Sequence, residues 1–154
     1  MEEKFMRAAI KQAEIARKKD EVPIGAVIVF EGKILVRAHN LTESRQLPTA
    51  HAEILAIEKA CKKLKSRRLD DAEMYVTLEP CAMCAGAIAG ARIKKVYFGA
   101  YEKKSGCAVS LYPVLEMSGL NHCTEFEGGI CEKECSAMIT EYFKSKRNKK
   151  AEND

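Results

Sequence analysis

The sequence predicts an α/β protein, a three-layer α/β/α sandwich around a mixed sheet of about five strands. Apolar runs of strand length alternate with stretches of helical periodicity along the chain. The first two runs, GAVIVF (25–30) and KILVRA (33–38), are parted only by Glu31 and Gly32. That is a hairpin signal, so the sheet is expected to be mixed rather than purely parallel. A chain of 154 residues fits one domain. It is expected over 1–147, with 148–154 as a disordered tail.

Each element follows from the residues in order. Residues 3–19 place Phe5, Met6, Ala9, Ile10, Ala13 and Ala16 at helical spacing, and Pro23 stops that helix. After the hairpin, HNLTESRQLP (39–48) reads as a loop. Thr49 is the expected N-cap of a helix running through AHAEILAIEKACKKL to about Leu64. MYVTL (74–78) reads as a strand, CAMCAGAIAGA after Pro80 as a helix, and KKVYFGA (94–100) as the next strand. Residues 101–110 are polar. A short helix is expected around Val114–Met117 and a further strand at 122–126. The last helix begins near Ile130, gathers Met138, Ile139, Tyr142 and Phe143 on one side, and gives way to the tail at Arg147.

The composition narrows the class. The 47% hydrophobic and 31% charged content is ordinary for a globular protein. Seven cysteines, an odd number, with no signal peptide in MEEKFMRAAIKQAEIARKKD, point to reduced thiols and a cytoplasmic setting. The longest apolar runs, such as IGAVIVF (24–30), are too short to span a bilayer. The net charge is only +4, but KKLKSRR (62–68) and KSKRNKK (144–150) each hold five basic residues in seven. Solvated helix ends and a footprint for phosphate backbone both fit such clusters.

The chemistry concentrates in VTLEPCAMCAG (76–86). Cys81 and Cys84, at i and i+3 in the first turn of a helix, put both sulfurs on one side. The dipole of that turn favours thiolates. A redox dithiol and a metal site both want this arrangement, and zinc wants further ligands.

PTAHAEIL (48–55) supplies one, with His51 at a helix start and Glu53 two residues on. Two residues on a helix turn through about 200°. Within the first turn, however, a long glutamate side chain can curl toward the helix end and share a pocket with the imidazole. Together the stretches read His51-Ala52-Glu53 and Pro80-Cys81-Ala82-Met83-Cys84. Three ligands with an open fourth position suit a catalytic rather than a structural zinc. They form the signature of zinc-dependent nucleobase deaminases, with the glutamate as general acid/base. A redox dithiol leaves His51 and Glu53 without a role. His122, Cys123, Cys131 and Cys135 lack the usual zinc spacing, and no second metal is expected there.

At these motifs the chain resembles the bacterial tRNA adenosine deaminase family, within the cytidine deaminase-like superfamily. The resemblance covers about residues 3–147. It rests on VPIGAVIV (22–29), AHN (38–40), PTAHAEI (48–54), YVTLEPCAMCAGAI (75–88), VYFGA (96–100) and ECSAMITEYFKSKR (134–147). It implies one Zn²⁺ per subunit, held by His51, Cys81 and Cys84, with Glu53 shuttling protons. It also implies a homodimer that deaminates the wobble adenosine of a tRNA anticodon stem-loop, with an arginine tRNA carrying ACG as the expected partner.

By the same resemblance Asn40 would hydrogen-bond the flipped nucleoside, and Val27 and Pro80 would wall the base pocket. Glu102 would meet the RNA backbone. Apart from the resemblance, Tyr142 and Phe143 on the last helix are candidates to stack a splayed loop base. Two positions depart from the family pattern. Glu102 stands where an aspartate is usual in the segment Glu102-Lys103-Lys104-Ser105-Gly106, and Leu47 stands at an often polar position. The alternative function is a deaminase of a free base or nucleoside, of guanine or cytosine type, using the same zinc site.

Overall fold

The computed structural model describes residues 2–116 and 122–153. Its elements are α1 (Glu2–Lys18), β1 (Gly25–Phe30), β2 (Lys33–His39), α2 (Thr42–Arg45), α3 (Ala52–Leu64), β3 (Glu73–Leu78), α4 (Ala82–Gly90), β4 (Lys95–Ala100), β5 (Glu125–Glu127) and α5 (Glu132–Asn153), with a 3-10 turn at Val114–Glu116. The five strands form one mixed sheet in the order β2-β1-β3-β4-β5. β1 runs antiparallel to both β2 and β3, while β3, β4 and β5 are parallel.

Strand alternation divides the core into two layers. Val27, Val29, Tyr75 and Tyr97 face α1 and α5, meeting Phe5, Met6, Ile10 and Cys135. Ala26, Ile28, Met74, Val76, Val96 and Phe98 face the other way, against Leu55, Ala56, Ala85 and Ile88 of α3 and α4. This is the expected α/β/α sandwich. Two glycines let helices lie close to the sheet. A Cβ on Gly25 would meet Ala13 N at 2.5 Å, and one on Gly99 would meet Thr77 O at 2.8 Å as well as the Cys135 sulfur.

The register has a functional result. Gly25 pairs with His39, Ala26 with Val76, and Leu78 with Ala100. The C-terminal ends of β2, β3 and β4 therefore lie along one edge, together with the start of β1. In sheets with parallel strands, ligands are met outside such carboxyl ends.

Four local readings need correction. The 39–48 segment holds a short helix, α2, because its first turn is capped from a distance by Glu21 rather than by a local residue. α3 is capped at His51 rather than Thr49. β5 is a three-residue strand, Glu125–Glu127, later than expected. The segment expected as a disordered tail from 148 is the end of α5, which stays helical to Asn153. The helix expected to reach Met117 is seen as the turn ending at Glu116, and Met117 lies outside the described residues.

Candidate active site

Two helices begin at the same point. His51 is the N-cap of α3 and Cys81 the N-cap of α4, both with extended backbone (φ −72°, ψ 151° and φ −76°, ψ 177°) and neither bonding its own helix through the side chain. An N-cap stands in front of the first turn, so imidazole and thiol project beyond the helix ends. Cys84, three residues into α4, points back to the same place. His51 Nδ1 lies 3.7 Å from the Cys81 sulfur and 3.5 Å from that of Cys84. The three donor atoms all lie within 4.8 Å of one another. Both helix N-termini aim at this spot, and their positive ends favour anionic sulfur.

Proton sharing follows from the contacts. The Cys84 thiol donates to Cys81, and His51 adds to the effect, so the Cys81 thiol is pulled down to about 4 against the opposing influence of burial. Cys84 is driven upward by its bond to Cys81 and by burial. His51 is raised, mainly through its bond to Cys81. A soft, partly anionic S₂N donor set of this kind suits zinc.

Glu53, in the first turn of α3, is buried, and its Oε1 has no hydrogen-bond partner among the described residues. Burial pushes its carboxyl upward, with only partial relief from its own backbone N–H and from His51. A carboxyl group that holds a proton readily and keeps one oxygen free beside three metal donors can move protons there.

In front of this group lies a cavity of about 240 Å³. Its sides come from the sheet edge described above: Val22 and Ile24 before β1, Asn40 and Thr42 after β2, Leu78 at the end of β3 and Glu79 after it, Glu102 and Ser105 after β4. Ile139 and Phe143 of α5 cover the remaining side.

Of the residues expected at the site, His51, Cys81, Glu53, Asn40, Glu102 and Phe143 meet in this cavity, and Cys84 lies behind it. Asn40 is buried and held by Thr42 N, 3.4 Å from its Oδ1, while its Nδ2 donates to Val22 O at 3.5 Å. Phe143 is 44% exposed at the mouth. Val27 and Pro80 are not among the lining residues. Val27 is fully buried on the α1 face of β1, because alternation turns it away from the cavity. Val22 and Ile24 take its place. Tyr142 is spent on the fold: its hydroxyl donates to Asp20 O at 3.4 Å.

No second donor cluster forms among the described residues. His122 Nε2 instead faces Ile93 O at 2.9 Å. Sequence reasoning missed Thr42, Ser105, Glu21 and Glu79. The signal available was an acidic residue abutting an apolar run, Glu21 before VPIGAV and Glu79 after YVTL.

The fold and the donor set define a deaminase: a family model described as MafB19-like deaminase matches residues 1–147. A tRNA-specific adenosine deaminase of Bacillus subtilis (strain 168) is 49% identical over 149 residues, 97% of this chain and 92% of the relative. One from Aquifex aeolicus (strain VF5) is 47% identical over 95% of this chain and 96% of its own length. A structure solved in work on A-to-I editing by tRNA:A34 deaminases at the wobble position of transfer RNA superposes with a TM-score of 0.85 and 42% identity, covering 87% of this chain and 97% of that one. The chain belongs to the tRNA-specific adenosine deaminase family. A guanine deaminase from Bacillus subtilis is also similar, at a TM-score of 0.62 and 42% identity over 64% of each chain.

Proposed function

We propose that this protein is a zinc-dependent hydrolase that converts adenosine to inosine at the wobble position of a tRNA anticodon. The observation that carries the chemistry is the unpartnered, buried Oε1 of Glu53 beside the His51–Cys81–Cys84 group. The support for the substrate is full-length similarity to tRNA-specific adenosine deaminases, where the guanine deaminase match spans less of the chain.

His51 Nδ1 and the sulfurs of Cys81 and Cys84 would hold one Zn²⁺. When bound, zinc lowers the pKa of a coordinated water so that it can attack the base. Glu53 Oε1 would take one proton from the attacking water and give it to the ring nitrogen beside the reacting carbon, then carry the remaining hydroxyl proton to the amine, which departs as ammonia as the C–N bond breaks. Asn40 orients the nucleoside from one wall, and Glu102 and Ser105 stand at the other. Phe143 at the mouth offers a ring to a splayed loop base. Ile139, Val22 and Leu78 keep bulk water from the reacting carbon.

The finer reading includes an arginine tRNA with an ACG anticodon, a homodimer and a cytoplasmic location. α4 supports the dimer. Its sequence AMCAGAIAG carries no charged residue, and Met83 remains 37% exposed on its outer side. An uncharged open helix face suits a second copy of the chain. No described helix is long and apolar enough to cross a membrane.

The test is to incubate the purified, zinc-loaded protein with an arginine tRNA anticodon stem-loop and sequence it for inosine, with free guanine and cytosine in parallel. Inosine at the wobble position supports the proposal. Ammonia from a free base, with none from the stem-loop, overturns it in favour of a free-base deaminase.

A further inference from the structure

Two carboxylates are buried beside the cavity, Glu21 next to the lining residue Val22 and Glu79 in the lining itself, at 0% and 2% exposure, and the charge of each is met by N–H groups and a serine hydroxyl. Glu21 Oε1 accepts from Glu43 N at 2.9 Å, and its Oε2 accepts from Ser44 N at 2.6 Å and Ser44 Oγ at 2.5 Å. Glu79 Oε1 accepts from Glu102 N at 3.0 Å and from Ser110 Oγ. Its Oε2 accepts from the backbone N–H groups of Ala108, Val109 and Ser110 at 3.1, 2.8 and 2.9 Å. The loop wraps this carboxylate so closely that a Cβ on Gly106 would meet its Oε1 at 2.5 Å.

The two gathered loops are the two opposing rims of the cavity. One follows β2 and carries Thr42; the other follows β4 and carries Glu102 and Ser105. β1 and β3 lie between them in the sheet. Residues 43–47 are exposed, so the first rim owes little to the core. The second buries Cys107 and Ala108, yet Glu102, on its cavity side, is tied down through its N–H to Glu79. A buried charge wrapped by several donors is a stiff anchor, since each donor lost leaves a charge less compensated.

We propose that Glu21 and Glu79 are positioning residues, each fixing where one rim loop stands, and that together they set the gap through which a nucleotide reaches Glu53. This rests on the reading of the cavity as a nucleotide site. It assigns substrate discrimination partly to two groups whose oxygens are turned to the protein's own backbone.

The experiment uses full-length, zinc-loaded protein with Glu21→Gln and Glu79→Gln, which keep side-chain volume but turn an amide toward N–H donors. Hydrogen exchange should rise about ten-fold at 43–44 in the first variant and at 102 and 108–110 in the second, the other loop staying protected. Zinc content should be unchanged. KM for the anticodon stem-loop should rise about ten-fold, the worth of one lost bond to a charged group, and kcat should fall by less. Ser44→Ala and Ser110→Ala, which spare the carboxylates, should give the same pattern at a few-fold and carry the test if a glutamine variant does not fold.

Unchanged exchange, loosened loops with unchanged KM, or loss of zinc would each overturn the inference. If the unaltered protein ignores the stem-loop, the substrate reading falls. In that case the loop-by-loop exchange pattern decides whether the anchors themselves are real.

Discussion

His51 Nδ1 and the Cys84 sulfur lie 3.5 Å apart although thirty-three positions separate them in the chain. That separation suits two donors to one ion. We expect His51→Ala and Cys84→Ala to lose stoichiometric zinc, measured by elemental analysis, and to lose turnover with it. Chelation of the unaltered protein should stop turnover and added zinc restore it. Full zinc content in either variant would show that the ion is held elsewhere.

Glu53 should separate metal holding from proton movement. Glu53→Gln keeps the shape of a buried side chain and removes its acid/base capacity. Turnover should fall by about 10²- to 10⁴-fold, with zinc content unchanged. Retained turnover would place the proton shuttle on another group.

Stability should carry a pH signature from Glu21. Burial opposes its ionisation, but the Ser44 hydroxyl and the N–H groups of Ser44 and Glu43 outweigh that, holding it below its ordinary value of about 4.5. The unfolded chain then binds the proton more readily than the folded one. Glu21 therefore stabilises the fold fully above pH 4.5 and less as pH falls through the lower folded value. In urea unfolding, Glu21→Gln should cost about 2 kcal/mol at pH 7, and the gap to the unaltered protein should narrow toward pH 3.5. A gap that widens with acidity would contradict the assignment.

RNA affinity should depend steeply on salt. Lys103 and Lys104 are exposed beside Glu102 and Ser105, and Lys144 and Arg147 are exposed beside Phe143. Each phosphate neutralised contributes about −0.7 to the slope of log K against log salt for a single strand. A double Lys103→Ala, Lys104→Ala variant should shrink that slope by about 1 in a binding titration. A slope near zero for the unaltered protein would remove the backbone contacts altogether.

Gly99 tests the packing of α5. A Cβ there meets the Cys135 side chain and Thr77 O, the latter part of a rigid strand. Gly99→Ala should cost about 1–3 kcal/mol by overpacking, read in urea unfolding. A neutral result would mean that α5 shifts freely on the sheet.

The strands and the larger helices were legible because period and length are local properties. The metal donors were legible because His51, Cys81 and Cys84 sit at helix starts, where side chains point forward whatever the tertiary context. What stayed hidden depends on distant partners. α2 has no local cap and exists because Glu21, twenty-odd positions earlier, receives its first N–H groups. Val27 looks like a pocket residue by family position, but the pleat turns it toward α1. The end of α5 reads as a tail by charge alone, yet the helix runs on to Asn153, past Lys146, whose Nζ lies 2.7 Å from Asp20 Oδ1.

At the close of β3, neighbouring residues have separate duties: Glu79 gathers the N–H groups of a rim loop, and Cys81, just past Pro80, brings its sulfur to the His51–Cys84 donor group. Such a run has no slack. Adding or deleting one amino acid there would throw the strand, the loop and the sulfur out of phase at once, so this junction must keep its length while the outer turns of the same chain are free to grow or shrink.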